Sequence, residues 1–288
     1  MTDVAWRHFA WQVPDTWEML LFSRDQESGQ CVFADRYMHR LEFNWQRAER
    51  APDFARMLAD CRNSLTGEPA VTAVCDIEVA GWRGLAVSTA AGGSSRFGRY
   101  FAGERCLVEL VFVWPERRDL SLEADVLASV RETPRDEAGR RHWRAFGLDV
   151  RVPEELALQS CRALPGRAEM VFRDAKGRRE ERFQRLGLVP QWLRGTVAEW
   201  LNAQIPAAVT NRSCGSETRG RHERALIRGD GAGAGVARLL GHRQPWQAAA
   251  WICPEDGRLY SWITIGRAGA AGHPGQLSCC AAAERTPP

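Results

Sequence analysis

Apolar residues recur at two spacings along the first half of the chain. Arg40-Leu41-Glu42-Phe43-Asn44-Trp45 alternates polar with apolar side chains, the period of a strand with one buried face. Runs rich in Trp, Phe and Val at Ala5–Val13, Trp17–Phe22 and Gln30–Ala34 read as further strands, the first two separated by Pro14-Asp15. Pro52-Asp53 opens a helix that puts Phe54, Met57, Leu58, Cys61 and Leu65 on one side. Proline is tolerated in a first turn because its missing N–H would have no intrahelical partner there. Strands are then predicted at Val71–Val79, Gly84–Ala90, Arg96–Ala102 and Cys106–Val113, followed by a helix over Leu120–Arg131.

The second half runs in the same order. Strands are predicted near Leu148–Val152, Leu156–Cys161, Glu169–Phe172 and Glu180–Phe183, then a helix over Pro190–Ile205, then strands at Ala207–Cys214, Glu223–Arg228, Val236–Leu240 and Ala248–Cys253. Arg258–Ile265 reads as an added strand, and the closing helix has no clear copy. Individual residues repeat at a nearly constant offset of 137 to 139. Trp6-Arg7-His8-Phe9 matches Trp143-Arg144-Ala145-Phe146, Val13-Pro14 matches Val152-Pro153, and Phe33-Ala34-Asp35 matches Phe172-Arg173-Asp174. Gly81-Trp82-Arg83 is matched with Gly220-Arg221-His222, and Trp114-Pro115-Glu116 with Cys253-Pro254-Glu255. Any one pair is at chance level, but their order and common offset predict an internal duplication. The polar stretch from Pro134 to Arg141 serves as the linker. At 288 residues the chain has the length of about two domains.

Composition narrows the class. Hydrophobic residues at 44% and charged residues at 26% are globular values, which exclude collagen, coiled coil and wholesale disorder. No apolar run approaches the roughly 20 residues that span a bilayer, and the first residues lack the pattern of a secretory signal. Nine cysteines without a C-x-x-C pair, in a chain long enough to build a core unaided, point to a reducing cytoplasm and not to a disulfide framework. The net charge of +3 hides an asymmetry: residues 1–140 carry 17 Arg against 22 Asp and Glu, and residues 141–288 carry 22 Lys and Arg against 14. An acidic and a basic half suit two copies that dock on each other. The basic residues are scattered and not striped, so nucleic acid is not the expected partner.

The first strand pair carries a Val-Pro-x-x-Trp step at Val13–Trp17, and Trp114-Pro115-Glu116 precedes a helix ending Val126-Leu127-Ala128-Ser129-Val130. In these features the chain resembles the Mog1/PsbP-like family, which includes the Eag-type chaperones of type VI secretion. The resemblance covers the first half and about 120 residues of the second, where Pro153-Glu154-Glu155-Leu156 departs from the Pro-x-x-Trp step. It implies an α+β protein of two tandem α/β/α-type domains, each a mostly antiparallel sheet with helices packed on it. The expected divisions are 1–136, 141–267 and an Ala/Gly/Pro-rich tail over 268–288. Known members mostly bind partners, so no residue is carried over as catalytic.

Candidate chemistry is sparse. His222-Glu223 is a tempting acid/base pair, but neighbours on a strand point to opposite faces and the H-E-x-x-H spacing of a zinc protease is missing. Cys253, Cys279 and Cys280 with His242 or His273 are the candidate metal ligands, although adjacent cysteines lack the C-x2-4-C spacing of structural zinc. The run Gly229-Asp230-Gly231-Ala232-Gly233-Ala234-Gly235 looks like a phosphate loop, but a strand follows it where a helix is needed, so it reads as a hairpin turn. Trp82 and Trp246, each in a predicted turn, and Arg83 and Arg221 beside them in the repeat are the candidate partner-binding residues.

The resulting expectation is a non-catalytic protein-binding module of chaperone or adaptor type. It would be cytoplasmic, a pseudo-two-fold monomer, with a protein partner, no cofactor, no nucleic acid and no membrane span. The alternative is a Cys/His-dependent enzyme or metal-binding protein using the second repeat.

Overall fold

The computed structural model describes residues 1–232, 243–266 and 276–280. The chain divides into two units, residues 1–133 and 134–288.

In the first unit the apolar run Ala5–Val13 is not one strand. Arg7 takes a positive φ of 60°, a conformation sterically costly for a residue with a Cβ. It turns β1 (Thr2–Trp6) back on β2 (Phe9–Val13), with Trp6 opposite Phe9. Then come β3 (Glu18–Phe22), β4 (Ser28–Ala34), β5 (His39–Arg47), α1 (Phe54–Thr66), β6 (Val71–Val79), β7 (Trp82–Thr89), β8 (Gly92–Phe101), β9 (Cys106–Trp114), α2 (Leu120–Ser129) and β10 (Arg131–Glu132). Seven strands form one antiparallel sheet in the order β3-β4-β5-β9-β8-β7-β6, and β10 pairs with β2. The alternation in β5 is realised: Leu41, Phe43 and Trp45 are buried, and the residues between them are not. Their face meets β2, where Trp11 stacks on Phe43 at 4.0 Å and Phe9 packs against Phe43 and Phe101.

The second unit comprises β11 (Arg140–Ala145), β12 (Leu148–Pro153), β13 (Ala157–Leu164), β14 (Arg167–Arg173), β15 (Glu180–Leu186), α3 (Val189–Trp192), α4 (Val197–Ala203), β16 (Thr210–Arg219), β17 (His222–Ala232), β18 (Arg243–Ile252), β19 (Leu259–Ile265) and β20 (Gln276–Ser278). Its seven-stranded sheet has the order β13-β14-β15-β19-β18-β17-β16, that of the first unit, and β20 pairs with β12 as β10 does with β2. The β11–β12 turn holds Phe146 at φ 55°, 139 residues after Arg7. One face of the sheet buries Ile227, Trp246, Ala248 and Ala250 beneath Val189, Leu201 and Ile205. On the other face Phe172 meets Trp143 of β11 at 5.1 Å.

The α/β/α expectation is overturned. Among the described residues the protein is mostly β, 55% strand against 13% helix, and built of antiparallel sheets. The cause is local. α1 buries none of its residues; Phe54, Leu58, Cys61 and Leu65 face the sheet half-covered and Met57 is exposed. The helix expected over Pro190–Ile205 is interrupted from Leu193, which is extended, through Gly195, whose φ of 109° no helix contains, leaving α3 and α4 with four and seven residues. Helices this short cannot cover sheets of seven strands, and part of each sheet is covered by strands instead.

Three smaller expectations also change. Arg258–Ile265 is no addition, because β19 stands in the strand order where β9 stands and β18 where β8 stands. Cys253 therefore follows the counterpart of β8, while Trp114 ends β9, and their likeness in sequence was accidental. Gly229, Asp230 and Gly231 lie inside β17 opposite Trp246, Pro245 and Gln244, and not in a turn; the rest of the glycine run, like Val236–Leu240, lies outside the described residues. Gln276–Ser278 of the expected tail is strand β20.

Candidate metal centre and arginine cleft

A turn at Gly220-Arg221 joins β16 to β17, with Arg219 paired to His222. Alternation along β17 sets His222 and Arg224 on one face of the sheet. Ala225 is opposite Ala250, so extending that register by three residues sets His222 across from Cys253. The third strand to arrive is β20. Pairing of Leu277 with Val150 draws the end of β20 alongside, and Cys279 and Cys280 follow it.

His222 Nε2 lies 3.1 Å from Cys279 Sγ and 3.6 Å from Cys280 Sγ, and the two sulfurs are 4.0 Å apart. With Cys253 added, the four ligand atoms all lie within 4.8 Å of one another. His222 and Cys253 are fully buried. The indole N–H of Trp251 donates to Cys279 Sγ at 3.3 Å. Burial pushes the Cys279 thiol up to about 12; the Trp251 bond opposes the rise, and Cys253 and Cys280 add to it. With ordinary zinc bond lengths, a tetrahedral Cys3His site needs ligand separations of roughly 3.6 Å (N to S) and 3.8 Å (S to S), which is the scale of this cluster.

Arg224 packs its guanidinium 4.3 Å over the Trp251 ring. Its side chain is 5% exposed, its nearest carboxylate is Glu217 at 3.9 Å, and its Nε has no hydrogen-bond partner among the described residues. Burial, then the charge of Arg219, lowers its pKa, with Glu217 opposing. Arg224 borders a cleft of about 440 Å³ lined also by Arg140, Glu217, Arg219, Arg228 and Gln276. Arg140 is paired with Asp136 at 2.9 Å. β16, whose Glu217 and Arg219 form one wall, is an edge strand exposed at all ten positions.

Of the metal ligands expected from sequence, Cys253, Cys279 and Cys280 come together. His242 and His273 lie outside the described residues. The histidine in the cluster is His222, and Glu223 beside it faces away and is exposed. Only the β17–β18 register brings His222 to Cys253, and no local motif signals it. Trp82 and Trp246 sit elsewhere than a surface would require: Trp82 is completely buried and donates to the Leu127 carbonyl at 3.1 Å, and Trp246 belongs to the core beneath α4. Arg83 and Arg221 are exposed. Trp82 opens β7 as His222 opens β17, so one place in the strand order holds a core indole in one unit and a candidate ligand in the other. The first unit also buries Glu123, which accepts from Trp114 Nε1 at 2.8 Å and from Arg118 at 2.6 Å and 3.1 Å. Its charge is already matched, which makes it a structural carboxylate.

No family model matches the chain, and no curated protein does, so the Mog1/PsbP-like resemblance gains no support from either. Among solved structures the chain is similar to the apo immunity protein TplEi of the type VI secretion system of Pseudomonas aeruginosa, with 10% identity over 90% of each chain and a TM-score of 0.39. A second similarity, to isotype 1 transferrin binding protein B from serogroup B Neisseria meningitidis, has 9% identity, covers 90% of this chain and 51% of the other, and has a TM-score of 0.13. At such scores neither likeness establishes a shared fold or carries a function across. No described helix is long and apolar enough to cross a membrane.

Proposed function

We propose that the protein is a non-catalytic, adaptor-type binding module that docks an acidic segment of a partner protein along β16 and over the adjoining cleft. The observation that carries this reading is the ten-residue edge strand, exposed along its whole length among the described residues. Such an edge leaves a row of backbone N–H and C=O groups ready to pair with an added strand. Charge selects the partner. Arg219 and Arg228 at the cleft outnumber Glu217, and the neighbouring Arg140 is already neutralised by Asp136. A segment with Asp or Glu at alternate positions would present its carboxylates to these guanidiniums while its backbone extends the sheet.

The enzyme reading is weaker on chemistry. His222 and Cys279 make a close pair, but a nucleophilic cysteine needs a lowered pKa and access to substrate. The Cys279 thiol is pushed the other way, and its histidine is buried.

The test is fluorescence anisotropy with a labelled peptide alternating Glu with Val. Binding is expected to weaken steeply with added salt and to drop at least tenfold in the variant carrying Arg219→Glu and Arg228→Glu. A Lys/Val peptide that binds equally well, or a double variant that binds as the parent does, would overturn the reading. Competition by inorganic phosphate alone at low concentration would reassign the cleft to a small anion.

A further inference from the structure

We propose that His222, Cys253, Cys279 and Cys280 form a closed Cys3His zinc site that fastens the chain after β20 to the ends of β17 and β18. Three features converge on it. The four ligand atoms come from three separate stretches of chain and lie within 4.8 Å of one another, as one tetrahedral ion requires. The two innermost, on His222 and Cys253, are fully buried, where a fourfold protein shell excludes water and leaves no open position for substrate; that is the structural and not the catalytic arrangement. Finally, among the described residues β20 has three positions and pairs with β12, and these three backbone positions give little to hold Cys279 and Cys280 in place. A metal crosslink supplies what the short strand lacks.

The sulfurs are not placed for a disulfide. The Cys279 and Cys280 sulfurs are 4.0 Å apart, roughly twice a sulfur–sulfur bond. The adjacency that argues against a site in the sequence is resolved by conformation. Cys280 lies in a bend just beyond the strand, so the two side chains need not point to opposite faces. Binding Zn2+ converts three thiols to thiolates with release of three protons, while His222 ligates as the neutral imidazole. The complete site then carries one net negative charge. Arg224, stacked on the Trp251 ring whose N–H reaches Cys279, is the nearby cation that offsets it. Arg219 and Arg228 are left to the cleft, and the zinc assignment does not depend on what the cleft binds.

The full-length chain, purified under reducing conditions without chelator, is expected to contain one zinc per chain by elemental analysis. Replacement by cobalt should give the visible bands of a tetrahedral site and a thiolate-to-cobalt charge-transfer band. Cys280→Ser and Cys253→Ser should each lose most of the metal, whereas Cys31→Ser, a buried thiol of the first unit, should retain it. Because a ligand variant can lose metal by misfolding, His222→Cys is the second arm. It should keep the metal as a four-thiolate site, with the charge-transfer band increased by about one third. The proposal is overturned if the purified chain is metal-free and takes up no cobalt, if the spectrum survives in the double variant lacking Cys279 and Cys280, or if His222→Cys leaves the band unchanged.

Discussion

At the scale of single residues, the most consequential positions are polar groups placed where water does not reach. Glu169 on β14 is one. Burial, the largest single influence on its pKa, pushes it up, but hydrogen bonds from Gln184 and Arg167 and the charge of Arg182 reverse this and leave it below its usual value. A carboxyl whose folded pKa is depressed stabilises the fold above its unfolded pKa of about 4.3 and loses that contribution as pH falls through the folded value. Urea midpoints should therefore decline between about pH 5 and pH 3, and Glu169→Gln should make that decline shallower. Equal slopes for the variant and the parent would remove Glu169 from the account. The alternation Leu41, Phe43, Trp45 and the cysteines of the candidate centre could be read from the sequence at this scale. The burial of Trp82 could not, because an indole beside a turn is packed or exposed according to what lies above it, and here that is the Leu127 carbonyl on α2.

Among the elements, the short helix α4 shows how little local structure holds a helix in this chain. Its seven residues are too few to persist alone. They are held by a capping box, in which Thr196 Oγ1 accepts from the Glu199 N–H at 3.2 Å and Glu199 Oε2 accepts from the Thr196 N–H at 2.8 Å, and by Leu201 buried against β17 and β18. Thr196→Ala should cost about 1 kcal/mol in equilibrium unfolding; Thr196→Ser should restore most of it, and an unchanged midpoint would rule the cap out as a contributor. The helix predicted over Pro190–Ile205 was drawn from correct spacing, but spacing does not register that Gly195 adopts a positive φ. The turns at Arg7 and Phe146 were equally hidden. Both are non-glycine residues in a left-handed conformation, tolerated because the strands on either side are paired along their whole length. They also revise the repeat, since turn against turn gives an offset of 139 and sets Trp6 against Ala145, not Trp143.

At the scale of the whole molecule, each unit carries its own seven-stranded sheet, and the candidate centre belongs entirely to the second. Removing metal should therefore be a local event. After treatment with a thiol-compatible chelator, hydrogen exchange should accelerate in β20 and in the adjoining parts of β12, β17 and β18, while β4, β5 and β9 keep their protection. Acceleration spread evenly over both units, or none anywhere, would contradict a site confined to the second. The sequence by itself determined the doubling of the chain's pattern, most of the strands and the three cysteines, because these depend on spacing and side-chain type. Only the tertiary structure decided that the sheets, and not the helices, dominate, and that His222 joins the cysteines. The first follows from a half-covered α1 and from the positive φ of Gly195 between two short helices, and the second from strand register, a pairing between residues far apart in the chain that no local pattern encodes.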